Sequence, residues 1–454
     1  MKSTQVDLLK GSTLKALILF AIPFLISNIF QQLYNTVDTV IVGHYLGDKS
    51  LAAIGASGSI FSLIMGLALG IGSGMSIVIG RCYGAEDEKL LKKSIAATII
   101  IGGCITLVLA VLSRYTLMPL LRLQDTPMEI IDEAYAYIDV IILYCGVMIA
   151  FNICQGILKA IGNSLIPLLF LAVSSVLNII LDVLFIRQFH MGIRGAAIAT
   201  VISQAVSTIM CLLYIWKKCK FLIPSREHFV YDKKLYTDLI SQGVSMGMMT
   251  CLVSLGSFVL QYAINQLGYL MMAGHVAAKR LFSFTVMPLV TMCLSLTNFV
   301  AQNKGAGQVD RIRKAVRYAN IVSIVWSIFI TIVVLFAAPF MVRKLTGSSE
   351  PSVIEYGSMF IRIETMFYIV LGPLFNYRYA LQGIGRKVIP LVSSLIELLG
   401  KIVFTFFLFS HTGYMGIILC EPVIWCVMLL QLIFAYYRDP YIKEFGMMAV
   451  ITSE

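Results

Sequence analysis

The chain is short of charge. Only 13% of its 454 residues are Asp, Glu, Lys or Arg, while 59% are hydrophobic and mean hydropathy is +0.87. A soluble chain of this length needs far more charge to cover its surface, so a soluble globular fold is excluded. Long polar stretches able to fold on their own are also missing. Of the ten cysteines, none stands in a CxxC pair, and most lie in apolar runs, as Cys104, Cys145, Cys154, Cys293 and Cys426 do. They read as small packing residues rather than as disulfides or a metal centre. Histidine is scarce, and His44, His190, His228, His275 and His411 all fall near the ends of apolar runs without Cys or carboxylate at metal spacing. Neither a structural metal nor a histidine relay is expected. Gly55-Ala56-Ser57-Gly58 matches the short GxSG pattern of intramembrane serine proteases, but no histidine is expected at the same depth to serve it, so the chain does not read as an enzyme.

Apolar runs dominate what is present. Each is roughly 20 residues or longer, enough to cross a ~30 Å hydrocarbon core as a helix. Twelve spans are expected, at 14–43, 51–81, 92–113, 134–156, 163–187, 193–216, 236–265, 274–302, 315–338, 354–378, 388–409 and 413–437. The polar tail Met1–Leu14 leads into span 1 without a small-residue cleavage site and is expected to stay in the mature chain. Lys and Arg then sort the connections. Those on the side of the tail hold 24, the opposite set holds 7, and four more fall inside spans. This bias places both termini in the cytoplasm of a multi-pass cell-membrane protein. The net charge of +11 is therefore a topology signal, and no nucleic acid partner is implied. The longest basic connection, Lys217–Lys234, divides the chain into an N-terminal lobe (1–216), a cytoplasmic linker (217–235) and a C-terminal lobe (236–454).

The two lobes match each other. At an offset of 221, Leu46-Gly47 aligns with Leu267-Gly268, Ala52 with Ala273, Phe61 with Phe282, Gly84-Ala85 with Gly305-Ala306, and Gly195 with Gly416. At 223, Ile161-Gly162 aligns with Ile384-Gly385, and Ile166-Pro167-Leu168 with Ile389-Pro390-Leu391. Glycine and proline punctuate helices, so matches at helix ends carry a backbone reason. A unit of six spans enters the membrane from the same side each time, which makes a parallel repeat of the kind found in transporters. The expected fold class is an all-α membrane protein of twelve transmembrane helices in two parallel six-helix repeats.

Ionisable groups inside spans are costly and point to function. Asp38 lies in the outer half of span 1, Asn178 and Asp182 share a face of span 5, and Thr200 lies at the same level of span 6. Two carboxylates, an amide and a hydroxyl form a hard-oxygen set for Na⁺, and the carboxylates could equally share a proton. Between Asp238, at the start of span 7, and Asp310 there is no acid, so the C-terminal lobe is expected to lack this ion chemistry. Glu397 and Lys401 read as an internally neutralised i, i+4 pair. Glu421-Pro422 reads as either a polar feature of a cavity or a packing kink. Arg362 and Glu364 read as snorkelling side chains. Gly66, Gly70, Gly72 and Gly74 in span 2 are read as close helix packing.

With these residues in view, the chain resembles the multidrug and toxic compound extrusion (MATE) family. The resemblance runs over nearly the whole chain. It rests on Gln31-Gln32-Leu33-Tyr34-Asn35-Thr36-Val37-Asp38 with Gly43, on Gly84-Ala85, and on Asn178-Ile179-Ile180-Leu181-Asp182. It rests also on Gly195-Ala196-Ala197-Ile198-Ala199-Thr200, Gln302-Asn303-Lys304-Gly305-Ala306-Gly307 and Glu421-Pro422. It implies a V-shaped pair of six-helix lobes that exports amphipathic, often cationic compounds in exchange for Na⁺ or H⁺, with no other cofactor, as a monomer in the lipid bilayer. The chain is most similar to the DNA-damage-inducible-F type, whose cation or proton site falls on Asp38, Asn178, Asp182 and Thr200. The other main bacterial branch carries an acid in span 7, where this chain has Val253. The resemblance implies a bend of span 1 around Pro23 when the site closes. Tyr34, Met65, Tyr262, Phe282 and Met287 are candidates to line the substrate cavity by position, and core packing explains each equally well. A lipid-linked-precursor flippase of the same superfamily is the alternative, although neither extra helices nor a strongly basic cavity is evident. A major-facilitator transporter would show a GxxxDRxGRR-like run between spans 2 and 3, where this chain reads Gly80-Arg81-Cys82-Tyr83-Gly84-Ala85-Glu86-Asp87.

Overall fold

A computed structural model describes residues 5–124, 126–347 and 350–443, and every regular element among them is helical. Spans 1 and 2 form α1 (Thr13–Gly84), which Gly47 divides by leaving helical geometry at φ 81°, ψ −176°. Span 3 is α2 (Glu88–Leu123), and span 4 is the bent pair α3 (Ile131–Leu143) and α4 (Cys145–Ala160). Span 5 is α5 (Leu165–Val183) ending in a π turn, Leu184–Gln188, and span 6 is α6 (Gly192–Lys218). In the second half, α7 (Lys233–Asn265) is span 7, α8 (Tyr269–Thr285) with α9 (Met287–Gly305) is span 8, and α10 (Val309–Thr346) is span 9. Span 10 is α11 (Pro351–Met366) with α12 (Tyr368–Ile384), span 11 is α13 (Val388–Val403) with a π turn at Phe404–Leu408, and span 12 lies in α14 (Phe409–Arg438).

Among the described residues, eight helices are long and apolar enough to cross a membrane, or eleven if each bent pair is one span. One of the eight, Val388–Arg438, is 51 residues long. At helical rise that is ~75 Å, more than twice a hydrocarbon core. Gly413, at φ 55°, breaks it, which completes the twelve. Spans 4, 8 and 10 differ from the expectation of single helices, for they bend by 49°, 41° and 53°. In span 8 the cause is Pro288, which cannot donate to the turn before it.

Backbone geometry repeats with the sequence. Left-handed residues pair at an offset of 221 as Gly47 with Gly268 (φ 81° and 82°), Glu86 with Gly307 (55° and 71°), and Gly192 with Gly413 (60° and 55°). At 223, Gly162 pairs with Gly385 (88° and 99°), and the bend at Tyr144 pairs with that at Phe367. The π turns are 220 apart. Glu86 is thus a side-chain-bearing residue at a left-handed position that its repeat partner fills with glycine. Glu86→Gly is expected to raise stability by ~0.5–1 kcal/mol, because the left-handed strain outweighs the extra chain entropy of glycine. Thermal unfolding of the detergent-solubilised protein reads this, and a lowered midpoint would contradict it.

The chain folds into two compact units. Unit 1 is Met1–Leu9 with Ile18–Met248, and unit 2 is Lys10–Leu17 with Met249–Glu454. By its contacts the chain therefore divides inside α7, within the repeat unit that the sequence reading begins at 236. The reason is a glycine seam: Gly70 and Gly74 of α1 face Gly247 and Gly243 of α7. A Cβ on Gly70 would stand 2.7 Å from Gly247 Cα, and one on Gly74 would stand 2.5 Å from the Gln242 carbonyl oxygen. Two small-xxx-small faces in backbone contact hold the first half of α7 to unit 1. Nor is the connection a free spacer, since Leu222 and His228 are buried in short 3₁₀ turns.

Span 2 packs its Met75, Val78 and Ile79 into a core shared with Ile95, Ile149, Ile157 and Leu239. Ser57 of the GxSG segment donates to the carbonyls of Ala53 (2.8 Å) and Ala134 (3.0 Å), the behaviour of a packing hydroxyl. In unit 2, Gly274 of α8 meets Gly357 of α11, where an added Cβ would lie 3.0 Å from the Gly357 nitrogen. Between α12 and α13, Arg386 clamps Asp439 with Nε–Oδ2 at 2.5 Å and Nη2–Oδ1 at 3.1 Å. That carboxylate pushes the Arg386 guanidinium pKa above its ordinary value.

Candidate cation-binding site

Tyr34 and Asp38 are one helical turn apart on the buried face of α1, below Val42. Asn178 and Asp182 stand likewise on the buried face of α5, and Thr200 on that of α6. The five side chains meet. Tyr34 Oη donates to Thr200 Oγ1 at 3.3 Å. The Asn178 amide, oriented so that its oxygen meets donors, accepts from the Thr200 backbone N–H at 3.2 Å and donates to Asp182 Oδ2 at 3.0 Å. The Asp38 and Asp182 carboxyl groups lie within electrostatic reach of each other. Each acid still has a buried Oδ1 without a hydrogen-bond partner among the described residues. The cluster therefore brings together all four residues of the hard-oxygen set and adds Tyr34.

Local sequence explains the approach. Gly195 lets α6 close on the π turn that follows Asp182, where a Cβ would stand 3.1 Å from Phe185 Cβ. Tyr137 of α3 lies within electrostatic reach of Tyr34, Asp38 and Asp182 and packs with Val42, Ile186 and Ala196. Sequence reasoning missed it, because nothing in the Tyr135-Ala136-Tyr137 pattern marks which ring turns inward.

The other cavity candidates are dispersed. Met65 is fully buried (0% exposed) in the unit 1 core. In unit 2, Tyr262 is 58% exposed and stacks on Phe406, Phe282 packs against Tyr368 and Trp425, and Met287 opens α9. Span 1 runs helical through Pro23.

Unit 2 overturns one expectation and extends another. Glu364 does not snorkel: it is 0% exposed, and both carboxyl oxygens lack hydrogen-bond partners among the described residues. Arg362 instead donates from Nε to the Leu335 carbonyl (3.1 Å), the acceptor that Pro339 leaves free four residues on. The expected Glu397–Lys401 pair is present, within a wider buried network. Lys279 Nζ lies 2.7 Å from Glu421, which also meets Lys401 at 2.9 Å; Lys401 meets Glu397 at 3.0 Å, and Glu397 meets Arg378 at 3.9 Å. The repeat aligns Asn178 with Lys401 and Thr200 with Glu421, so the pair that touches in unit 1 touches again in unit 2 with charged groups. Lys279 is one of the four cations counted inside spans. Its position within an apolar run was the available signal.

A parallel repeat of six spans, with carboxyl groups buried among the helices of one unit, defines a polytopic membrane transporter. The profile of the MatE family matches residues 23–184 and again 246–407, more than half of the chain, at the 223-residue offset seen in the sequence. The chain belongs to the MatE family. It is 28% identical over 446 residues to the probable multidrug resistance protein YoeA of Bacillus subtilis, covering 96% of both chains. It is 25% identical over 438 residues to the multidrug export protein MepA of Staphylococcus saprophyticus, covering 94% of this chain and 92% of that one. Its fold superimposes with a TM-score of 0.90 on a solved multidrug resistance MATE family transporter of the MOP superfamily in an outward-facing conformation. That match covers 98% of this chain and 99% of the other at 23% identity.

Proposed function

We propose that this protein is an antiporter that exports small amphipathic cations across the cell membrane in exchange for Na⁺ or a proton, as a monomer with both termini in the cytoplasm. The observation that carries the reading is the pair of buried acids, Asp38 and Asp182, within electrostatic reach of each other and grouped with Asn178, Thr200 and Tyr34. A site with two ionisable carboxyl groups and spare oxygen lone pairs changes its charge when a single cation enters. Occupied, the acids attract the same ion and α1 stays against α5 and α6. Empty, they repel, and Tyr34 is drawn away from Thr200. The ion thereby favours one state of the helices. Coupling follows when the exported cation favours the other, since each ligand shifts the equilibrium only by its differential affinity. Relatives named as multidrug resistance and multidrug export proteins support the substrate class, and the excess of Lys and Arg on one side supports the orientation. The DNA-damage-inducible-F-like placement rests on the same four residues in the N-terminal lobe.

The test is transport. Purified protein in liposomes should move ethidium against its gradient when a Na⁺ gradient or a pH gradient is imposed, and the gradient that works names the ion. Folded protein that responds to neither would turn attention to a lipid-linked-precursor flippase and a fluorescent-lipid assay.

A further inference from the structure

Unit 2 holds a box with three cations, Lys279, Lys401 and Arg378, and three acids, Glu364, Glu397 and Glu421. Glu397 and Glu421 are bonded to cations, whereas Glu364 is sealed in without a hydrogen-bond partner among the described residues. It lies within electrostatic reach of Lys279, Lys401 and Glu421. The close approach of α8 to α11 at Gly274 and Gly357 produces this arrangement, for Phe360 and Glu364 follow Gly357 on one face and turn toward Lys279. Aromatic rings form the other walls. The Lys279 ammonium stands 5.1 Å from the Phe282 ring centre and 5.3 Å from that of Phe360. Phe282 in turn stacks on Trp425 at 6.3 Å and meets Tyr368 edge-on at 5.6 Å. His275, one turn before Lys279, closes the back against Phe360 and Tyr414.

Acids on one side and ring faces on the other suit an ammonium or phosphonium, a weakly hydrated cation, better than Na⁺, which needs hard oxygens around it. The box already contains such a cation, tethered by its own side chain. The two lysines differ in access: 33% of the Lys279 side chain is exposed, against 1% for Lys401. Lys401 can therefore stay on Glu421 while Lys279 swings out.

We propose that this box is a binding site for a monovalent amphipathic organic cation, and that Lys279 is its built-in competitor, which the ligand must displace from Glu421. The choice of ligand class rests on the export function proposed above. The site stores a cation of its own when empty, so Glu421 keeps the Lys279 ammonium beside it. A ligand that enters gains the acids and the rings but must first displace the ammonium, which keeps affinity low enough for release.

The probe is tetraphenylphosphonium, its binding to the purified protein measured by equilibrium dialysis. Lys279→Gln removes the competitor and should tighten binding by about tenfold or more, while Lys279→Arg should not. Adding Glu421→Gln to Lys279→Gln should erase the gain. Unchanged or weaker binding in folded Lys279→Gln overturns the proposal. A second measurement needs no variant: in the unaltered protein, tetraphenylphosphonium should increase labelling of Lys279 by an amine-reactive reagent, read by mass spectrometry, because the ammonium is released. Labelling that stays constant or falls overturns the proposal even if the variants do not fold. Ion-driven ethidium export with no gain in Lys279→Gln would sink the site and leave the antiporter standing. A gain without export would do the reverse.

Discussion

Asp38→Asn and Asp182→Asn are each expected to cut gradient-driven ethidium export by about 100-fold, the upper range for a coupling free energy of ~3 kcal/mol. Asparagine has nearly the shape of aspartate and keeps the packing of α1 on α5 and α6. It cannot change charge, so the ion no longer distinguishes the two states of the helices, and a ligand without differential affinity shifts nothing. Asn178→Ala and Thr200→Ala should cost less, about 5-fold, because each removes an orienting bond near Asp182 worth ~1 kcal/mol. Export is measured in the same liposomes, with thermal unfolding as the control for fold. Full export by Asp38→Asn would remove the carboxyl pair from the mechanism.

Lys401→Met is expected to be the most destabilising single change in unit 2, by ~3–5 kcal/mol, the range for breaking a buried ion pair from one side. The ammonium is 1% exposed and bridges Glu397 at 3.0 Å and Glu421 at 2.9 Å. Its stem lies where Gly256 of α7 leaves room, since a Cβ there would stand 3.0 Å from Lys401 Cδ. Without it, Glu397 keeps only Arg378 at 3.9 Å, and Glu421 depends on the half-exposed Lys279. Combining Lys401→Met with Glu397→Gln removes a stranded charge and should recover part of the loss. The readouts are thermal unfolding and the amount of protein in the membrane. A Lys401→Met protein as stable as the parent would mean that the network contributes nothing to holding α13 to α14.

Much of this molecule was legible in its residues. A hydropathic run long enough to span is a local property, and so is the preference of Leu-Gly turns for left-handed backbone. The twelve spans and the repeat could therefore be read without coordinates, and Gly47 and Gly268 adopt nearly the same φ. The hard-oxygen set was legible too, because Asp38, Asn178, Asp182 and Thr200 are polar exceptions on otherwise apolar helices, and counting residues from the loops sets their depth.

Tertiary structure alone decided which faces meet. Glu364 read as a snorkelling side chain because its position along span 10 said nothing about its direction; the bend at Phe367 and the contact of Gly357 with Gly274 turn it inward. Tyr137 joined the acids for the same reason. Lys279, Lys401 and Glu421 lie on separate helices, up to 142 residues apart, and no local pattern announces that they share one box. The compact units divide inside α7 because two glycine faces touch. Depth and periodicity are written along the chain. Azimuth around a helix in an apolar environment is not, because lipid and protein interior select for the same apolar side chains, and only close packing tells them apart.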